Sequence, residues 1–477
     1  MKPCSAVVAH HLNLVGLRAV AEDGSAGGVG VWCGSGAPRT GVNVLLASDV
    51  SVLPGIEIAP VRGSADLAAV AGMGLSWARL RSFHSAVHFT GEGLTPVVTD
   101  PAGRMVWAFQ PHPAGGLLLI GTDLAADLTL LRQGRPEAAR NRPTDAQWGF
   151  AGERPNYLFE QQLDPEAPFD RPADWWLWTL RDALIRHGGV AARPVLPGGA
   201  PGMVIVTGDD DQAPIEDYRA QRALLGDLPV TYFLHPLCKL DRAGLAEIGE
   251  GRDLEWELHP DALETPEAYP ARLAEQCGWF ETLTGRKPGL VRNHGFLNDG
   301  YWGHARLWLA HGIRGSSNIP GVDGRVVNGS LLPARLALDG ALTQHWSVLT
   351  AFGDGAVFVH GWDAPTTREA VLSAGRRIAE SGVPGVLVFN LHPANHLRAA
   401  PMHEAVRRLV EDGFVASTLG DALDWFGGGQ WRERPVVAAR ERADRPAPLR
   451  GAEMLRLAAS LGTRAVRAMT GRAGRGQ

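Results

Sequence analysis

No two cysteines in this sequence stand as CxxC: Cys4, Cys33, Cys238 and Cys277 are the only four and lie far apart. Neither a zinc knuckle nor a disulfide framework fits such spacing, so reduced thiols are the expectation. Long apolar runs are missing too. None approaches the ~20 residues that span a bilayer, and the opening MKPCSAVVAHHLNLVGLRAVAEDG has its apolar run broken by His10, His11 and Asn13, which makes a poor export signal. A cytoplasmic location is the resulting expectation. Charge of one sign is equally scarce: a net charge of −5 over 477 residues gives no electrostatic footprint for nucleic acid, and small or neutral substrates fit.

What is present is a globular composition, 45% hydrophobic and 20% charged, on a chain too long for a single ordinary core. Short runs at 42–47, 95–99, 105–110 and 117–121 read as strands separated by Gly, Pro and Asp turns. They predict a smaller N-terminal β-rich or α/β domain over 1–135. Its end, GRMVWAFQPHPAGGLLLIGTDLAADLTLLRQG, resembles the terminal strands of glutamine-amidotransferase-like domains, although no Cys-His-Glu set accompanies it. Residues 136–200 read as a Pro/Arg-rich linker and a packing helix that starts near Ala173 and stops at Gly188-Gly189.

From Gly202 onward strand and helix alternate. Strands are expected at 203–207, 230–234, 254–259, 289–292, 312–316, 356–360, 385–391 and 413–417. Helices are expected between them at 266–284, 300–311, 366–381 and 402–412. Such alternation argues for a parallel α/β architecture, doubly wound or barrel, over 201–430, with chemistry at the C-terminal strand ends. Asp209, Asp210, His259, Arg292, His294 and His392 all lie at or just beyond such ends.

The run GDDDQ poses the sharpest question, because Asp209, Asp210 and Asp211 repel one another unless something positive sits among them. A metal ion is the first candidate. The plainer alternative is a helix N-cap with solvated neighbours, since Pro214 and Glu216 suit a first helical turn. One carboxylate and two imidazoles would leave zinc an open position for water, whose pKa zinc lowers toward about 7.

Taken in order, VIVTGDDDQ, LEWELHP, GLVRNHG and VLVFNLHP resemble the motifs of the polysaccharide deacetylase (NodB-homology) family of carbohydrate esterases, over about 200 to 427. The resemblance implies a distorted (β/α) barrel that removes N- or O-acetyl groups from sugars with a divalent metal, most often zinc. It implies Asp209 as general base, Asp210 and His259 as metal ligands, Arg292 as the residue that orients the base, and His392 as general acid. The family's second metal histidine falls on Leu263, which cannot ligate, and His294 in RNHG is the nearest replacement. Asp211 replaces the usual glycine and could add a ligand or support one. Trp302, Trp308 and Trp362 are candidate sugar platforms, and in HGWDAP Trp362 and Asp363 stand where the family often places a tryptophan and an aspartate that tunes the acid.

Two other classes remain open. A metal-dependent glycosyltransferase could use Asp209 and Asp211 on a nucleotide-sugar diphosphate, but it leaves His259 and His392 unexplained. A catalytically inactive deacetylase-like sugar-binding or scaffold protein is permitted by Leu263. Beyond the barrel, 432–477 holds eleven Arg against four acidic residues, and Met454, Leu457, Ala458, Leu461, Ala465 and Met469 share one helical face. That basic amphipathic tail could make a peripheral contact with an anionic membrane or remain a solvated extension.

Overall fold

The computed structural model describes residues 3–431 except 22–28, 33–40, 47–55, 62–64, 71–74, 76–77, 85, 113–114, 135–140, 144–152, 156–168, 262–266, 299–301 and 322. The basic tail and Leu263 therefore lie outside the described residues. The chain divides into two units, Met1–Glu433 and Arg434–Gln477, and every described element belongs to the first.

Apolar runs rich in valine, isoleucine and phenylalanine, bounded by Gly and Pro turns, form parallel strands that need both faces covered. They are β1 (Gly202–Asp209), β2 (Val230–Leu234), β3 (Leu254–Leu258), β4 (Leu290–Val291), β5 (Gly315–Pro320), β6 (Ala341–Gly353) and β7 (Gly385–Asn390). Each pairs with the next in parallel, and β1 also pairs with β7, which closes the barrel. The fold class is thus α/β with a distorted (β/α) barrel. The distortion comes from a two-residue β4 and from register shifts where β6 meets β5 and β7, since a bulge bends its strand.

The two-residue alternation of a strand sorts the side chains. Met203, Ile205, Phe233, Leu290, Trp346, Val348, Val386 and Val388 fill one core, while Val204, Val206, Tyr232, Leu234, Leu258, Leu349, Leu387 and Phe389 pack in another with the surrounding helices. The first set shares its parity with Thr207, Asp209, His235, His259, Arg292, Thr350 and Asn390. Polar interior positions therefore gather toward the C-terminal strand ends, above an apolar plug.

The N-terminal sheet is mixed, with parallel Val29–Trp32, Gly41–Leu46 and Gly115–Ile120 beside antiparallel Met105–His112 and Thr95–Thr99. Helix Leu124–Gln133 fastens this sheet to the barrel. Arg132 donates to the Leu332 carbonyl (2.8 Å), and Gln133 exchanges two hydrogen bonds with Ala337 (2.7 and 2.8 Å).

Two expectations need correction. Residues 355–359 form a helix, not a strand, because the strand at this place is the 13-residue β6 that precedes it. Cys4 is disulfide-bonded, whereas Cys238 and Cys277 are free, so the expectation of reduced thiols fails at Cys4 and holds at Cys238 and Cys277, while Cys33 lies outside the described residues. Among the described residues no helix is long and apolar enough to cross a membrane.

Candidate functional site

Asp209 closes β1 and is buried (3% exposed). Burying a carboxylate is costly unless its oxygens are met, and both are. Arg292 donates from Nη1 to Oδ1 at 2.9 Å, and Asn390 donates from Nδ2 to Oδ2 at 2.7 Å. Burial pushes the Asp209 carboxyl up, but His259, Arg292 and His392 outweigh it and leave it below the usual carboxylate range. It stays ionised at neutral pH.

Arg292 is fully buried and spends its guanidinium on interior acceptors. Besides Asp209 these are the Ser317 carbonyl (3.0 Å), Thr207 Oγ1 (2.8 Å), Ser317 Oγ (3.2 Å) and Thr350 Oγ1 (3.4 Å). The planar fork also lies over the Phe233 ring at 4.6 Å, a face-on contact favourable for a weakly hydrated cation.

The aspartate run separates into three environments. Asp210 is fully buried, and its Oδ1 accepts from the Tyr218 hydroxyl (2.5 Å) and Cys238 Sγ (3.4 Å), while Oδ2 accepts from the Gln212 backbone N–H (3.1 Å). Its carboxyl is raised, chiefly by burial. Asp211 instead projects among the histidines. Its Oδ1 is 3.4 Å from His259 Nε2 and 3.9 Å from His294 Nε2, and its Oδ2 is 3.4 Å from His392 Nε2. Ligand atoms of Asp211, His259 and His294 all lie within 4.8 Å of one another, and Asp210 is not in that group. The carboxylate grouped with the two histidines is that of Asp211, one residue after the Asp210 expected as a ligand.

The backbone explains the shift. Asp211 and Gln212 both take positive φ, 41° and 62°, a conformation costly for residues with a Cβ that persists where surrounding structure enforces it. This left-handed pair turns the chain so that Asp210 points at Tyr218 and Asp211 faces the barrel mouth.

His259 leaves β3 on the interior parity, and its Nδ1 donates to the Arg292 carbonyl at 2.6 Å. That bond places a hydrogen on Nδ1 and turns Nε2 toward Asp211. Burial opposes charge on His259, while Asp209 and Asp211 outweigh it and raise its proton affinity. His294 follows β4, with its backbone N–H bonded to the Pro260 carbonyl (2.9 Å). Burial, then His259, lowers its proton affinity, which favours the neutral, ligating form.

His392 has a partner that the sequence pattern does not reveal. Asp354, buried just past β6, accepts from His392 Nδ1 (2.8 Å) and from the His392 backbone N–H (2.8 Å). Burial lowers the imidazole's proton affinity, but Asp354, then Asp211 and Asp209, raise it to about 10. Asp363, expected in that tuning role, is the N-cap of helix Ala364–Ser381 and accepts from the Thr366 N–H. Trp302 donates its indole N–H to the Gln133 carbonyl (2.9 Å), which ties it to the N-terminal sheet's helix. Trp362 is half-buried against the outer core, and Trp308 is fully buried and stacked on His345.

Asn390, Asp354 and His235 are site residues that the sequence motifs leave unassigned. His235 had a signal: Leu234-His235-Pro236 repeats the tripeptide of Leu258-His259-Pro260 and Leu391-His392-Pro393.

The donor set suits a divalent cation. Two ligands of one zinc lie no more than about 4.2 Å apart, twice a bond of about 2.1 Å; separations within 4.8 Å need only a small closure.

No family model matches the chain, and no curated protein matches it. Similar solved structures include a candidate polysaccharide deacetylase from Mycobacterium smegmatis, at 17% identity and TM-score 0.38, covering 50% of this chain and 96% of that one. A family 4 carbohydrate esterase from Streptomyces lividans, solved with acetate, is 13% identical at TM-score 0.30, with 46% and 94% covered. A CE4 family pseudoenzyme from Bacillus anthracis is 13% identical at TM-score 0.31, with 46% and 65% covered.

Proposed function

We propose that this chain is a metal-dependent hydrolase that removes an N- or O-acetyl group from a sugar or glycan intermediate. The observation that supports it is the convergence of Asp211, His259 and His294 beside a paired, ionised Asp209 on one side and a paired, protonated His392 on the other. Two titratable groups pushed to opposite protonation states at neutral pH are the requirement for base and acid in one site.

Asp211, His259 and His294 would hold the cation, zinc by the nitrogen and oxygen character of its donors. When bound it supplies Lewis-acid polarisation of the acyl carbonyl and a more acidic water. Asp209, kept ionised and oriented by Arg292 and Asn390, takes a proton from the attacking water. The new carbon–oxygen bond forms at the acyl carbon, and the bond to the sugar nitrogen or oxygen breaks. His392, its Nδ1 fixed on Asp354, passes its Nε2 proton to that leaving atom. Acetate and the free amine or hydroxyl result.

A glycosyltransferase use of the aspartates is disfavoured, because it gives no task to His259, held on the Arg292 carbonyl, or to His392, held on Asp354. The test pairs metal analysis of the purified protein with acetate release from a panel of N-acetylated sugars. Asp209→Asn is expected to keep its zinc and lose ~10² to 10⁴ in rate. Turnover in that variant equal to the parent's ends the proposal, and so does a parent that releases no acetate with zinc bound.

A further inference from the structure

Three strand ends carry Leu-His-Pro: residues 234–236 after β2, 258–260 after β3 and 391–393 after β7. A residue before proline is driven to extended backbone, so each histidine continues its strand's alternation onto the interior face before the chain turns away. Two of the three have tasks in the proposed chemistry. His235 has none.

The ring nitrogen that carries the hydrogen tells them apart. His259 Nδ1 and His392 Nδ1 each face an oxygen acceptor, the Arg292 carbonyl (2.6 Å) and Asp354 Oδ1 (2.8 Å), so each holds a hydrogen on Nδ1. In His235 the arrangement is reversed. The Leu237 backbone N–H donates to its Nδ1 at 3.1 Å, which uses the Nδ1 lone pair and leaves the hydrogen of the neutral ring on Nε2. His235 is 4% exposed, and its Nε2 has no hydrogen-bond partner among the described residues. A protonated nitrogen cannot ligate a cation. A nitrogen of His235, one of His294 and a carboxylate oxygen of Asp261 also lie within 4.8 Å of one another, yet this tautomer bars His235 from a second cation site.

What His235 does contact is aromatic. Its ring stands edge-on to His294, with centroids 4.9 Å apart and planes at 72°, and lies 6.0 Å from His259 at 61°; His259 and His294 are 5.3 Å apart at 67°. Edge-to-face placement is a favoured aromatic geometry. His294 is also followed by two residues of positive φ, Gly295 at 61° and Phe296 at 57°. Of the two imidazoles packed against the His294 ring, His235 is the nearer.

We propose that His235 is a positioning residue, which fixes the ring of His294 by edge-to-face contact and is itself no ligand. The proposal rests on the reading of Asp211, His259 and His294 as a cation site. It deepens that reading by assigning the third Leu-His-Pro histidine.

The test is zinc titration of the full chain and of His235→Ala, His235→Phe and His235→Gln, together with histidine-ring NMR of the cation-free proteins. The parent should bind one zinc per chain. His235→Ala should still bind one, weaker by ~10- to 100-fold, the usual effect of removing an orienting neighbour of a ligand. His235→Phe keeps an aromatic edge without a nitrogen and should restore the affinity; His235→Gln keeps an amide N–H without the ring and should not. In the cation-free protein His235 should show the Nε2–H tautomer, and the His294 ring signals should broaden in the Ala variant and sharpen again in the Phe variant. Unchanged affinity in His235→Ala overturns the proposal, as does rescue by Gln and not by Phe. Two zincs in the parent and one in His235→Ala would make His235 a ligand. A parent that takes up no zinc refutes the cation reading, and the ring proposal is then decided by the cation-free spectra: His294 signals unmoved in His235→Ala overturn it.

Discussion

Arg292→Met removes a buried guanidinium while keeping much of its apolar stem, and the structure says which of the groups left behind will suffer. Thr207 still donates its hydroxyl to the Phe389 carbonyl at 2.7 Å, and Ser317 and Thr350 still share a hydrogen bond at 2.7 Å. The neutral acceptors thus keep partners. Asp209 does not fare so well: it keeps Asn390 but loses its buried guanidinium partner, at 2.9 Å. Breaking a buried ion pair from one side typically costs ~3–5 kcal/mol, and because His259 and His392 still offset part of the Asp209 charge the lower end of that range is expected. Adding Asp209→Asn removes that charge, so the double variant should recover most of the loss although it carries two substitutions. The assay is urea unfolding followed by tryptophan fluorescence, read as a double-mutant cycle with the two single variants. A loss in Arg292→Met below about 1 kcal/mol, the scale of an exposed pair, would refute the argument. So would a double variant less stable than Arg292→Met.

The neighbouring aspartates should separate in the same way. Asp211→Asn should keep the fold, since asparagine tolerates positive φ, and lose zinc uptake; Asp210→Ala should keep zinc and lose about 1–3 kcal/mol, because Tyr218, Cys238 and the Gln212 N–H lose their acceptor. The reverse pattern in chelator competition and unfolding would restore Asp210 as the ligand. A pH effect is expected from Glu257, whose carboxyl is pushed up to about 7 by burial and then by the charge of Glu255. Its folded pKa lies above its unfolded one, so the stability it contributes is full below about pH 4.3 and is lost as pH rises through about 7. Urea midpoints should therefore fall across that window, and Glu257→Gln, which still accepts from the Gly289 and Leu290 N–H groups, should flatten the fall; an unchanged slope would rule Glu257 out as its source.

How far the site could be read from the chain depended on what fixes each residue. Asp209, His259, Arg292 and His392 were legible because a strand's alternation and its C-terminal end are written locally, and a polar residue that closes an apolar run has few places to go. Asp211 was legible only as an added or supporting ligand, since the two consecutive non-glycine residues at positive φ that separate it from Asp210's surroundings run against local backbone preference. Asp354 was missed through a boundary. The 13 residues of β6 alternate only weakly, so the strand was expected at 356–360, and the aspartate that tunes the acid was placed by resemblance at Asp363, beyond the true strand end.

The three Leu-His-Pro ends show where local reading stops. Proline and strand parity give all three histidines the same backbone and the same direction, so the tripeptide predicts an inward imidazole and nothing more. The chemistry of an imidazole is set by what meets its other nitrogen. For His259 that is the Arg292 carbonyl, 33 residues away in sequence, and for His392 it is Asp354, 38 residues back. For His235 it is the Leu237 N–H, two residues on. In the proposed reading, ligand, proton donor and positioning ring are distinguished by a single hydrogen bond each, and two of those bonds exist only once neighbouring strands have paired. A sequence can place such residues on the inner face, but only the folded partner decides which nitrogen offers a lone pair and which offers a proton.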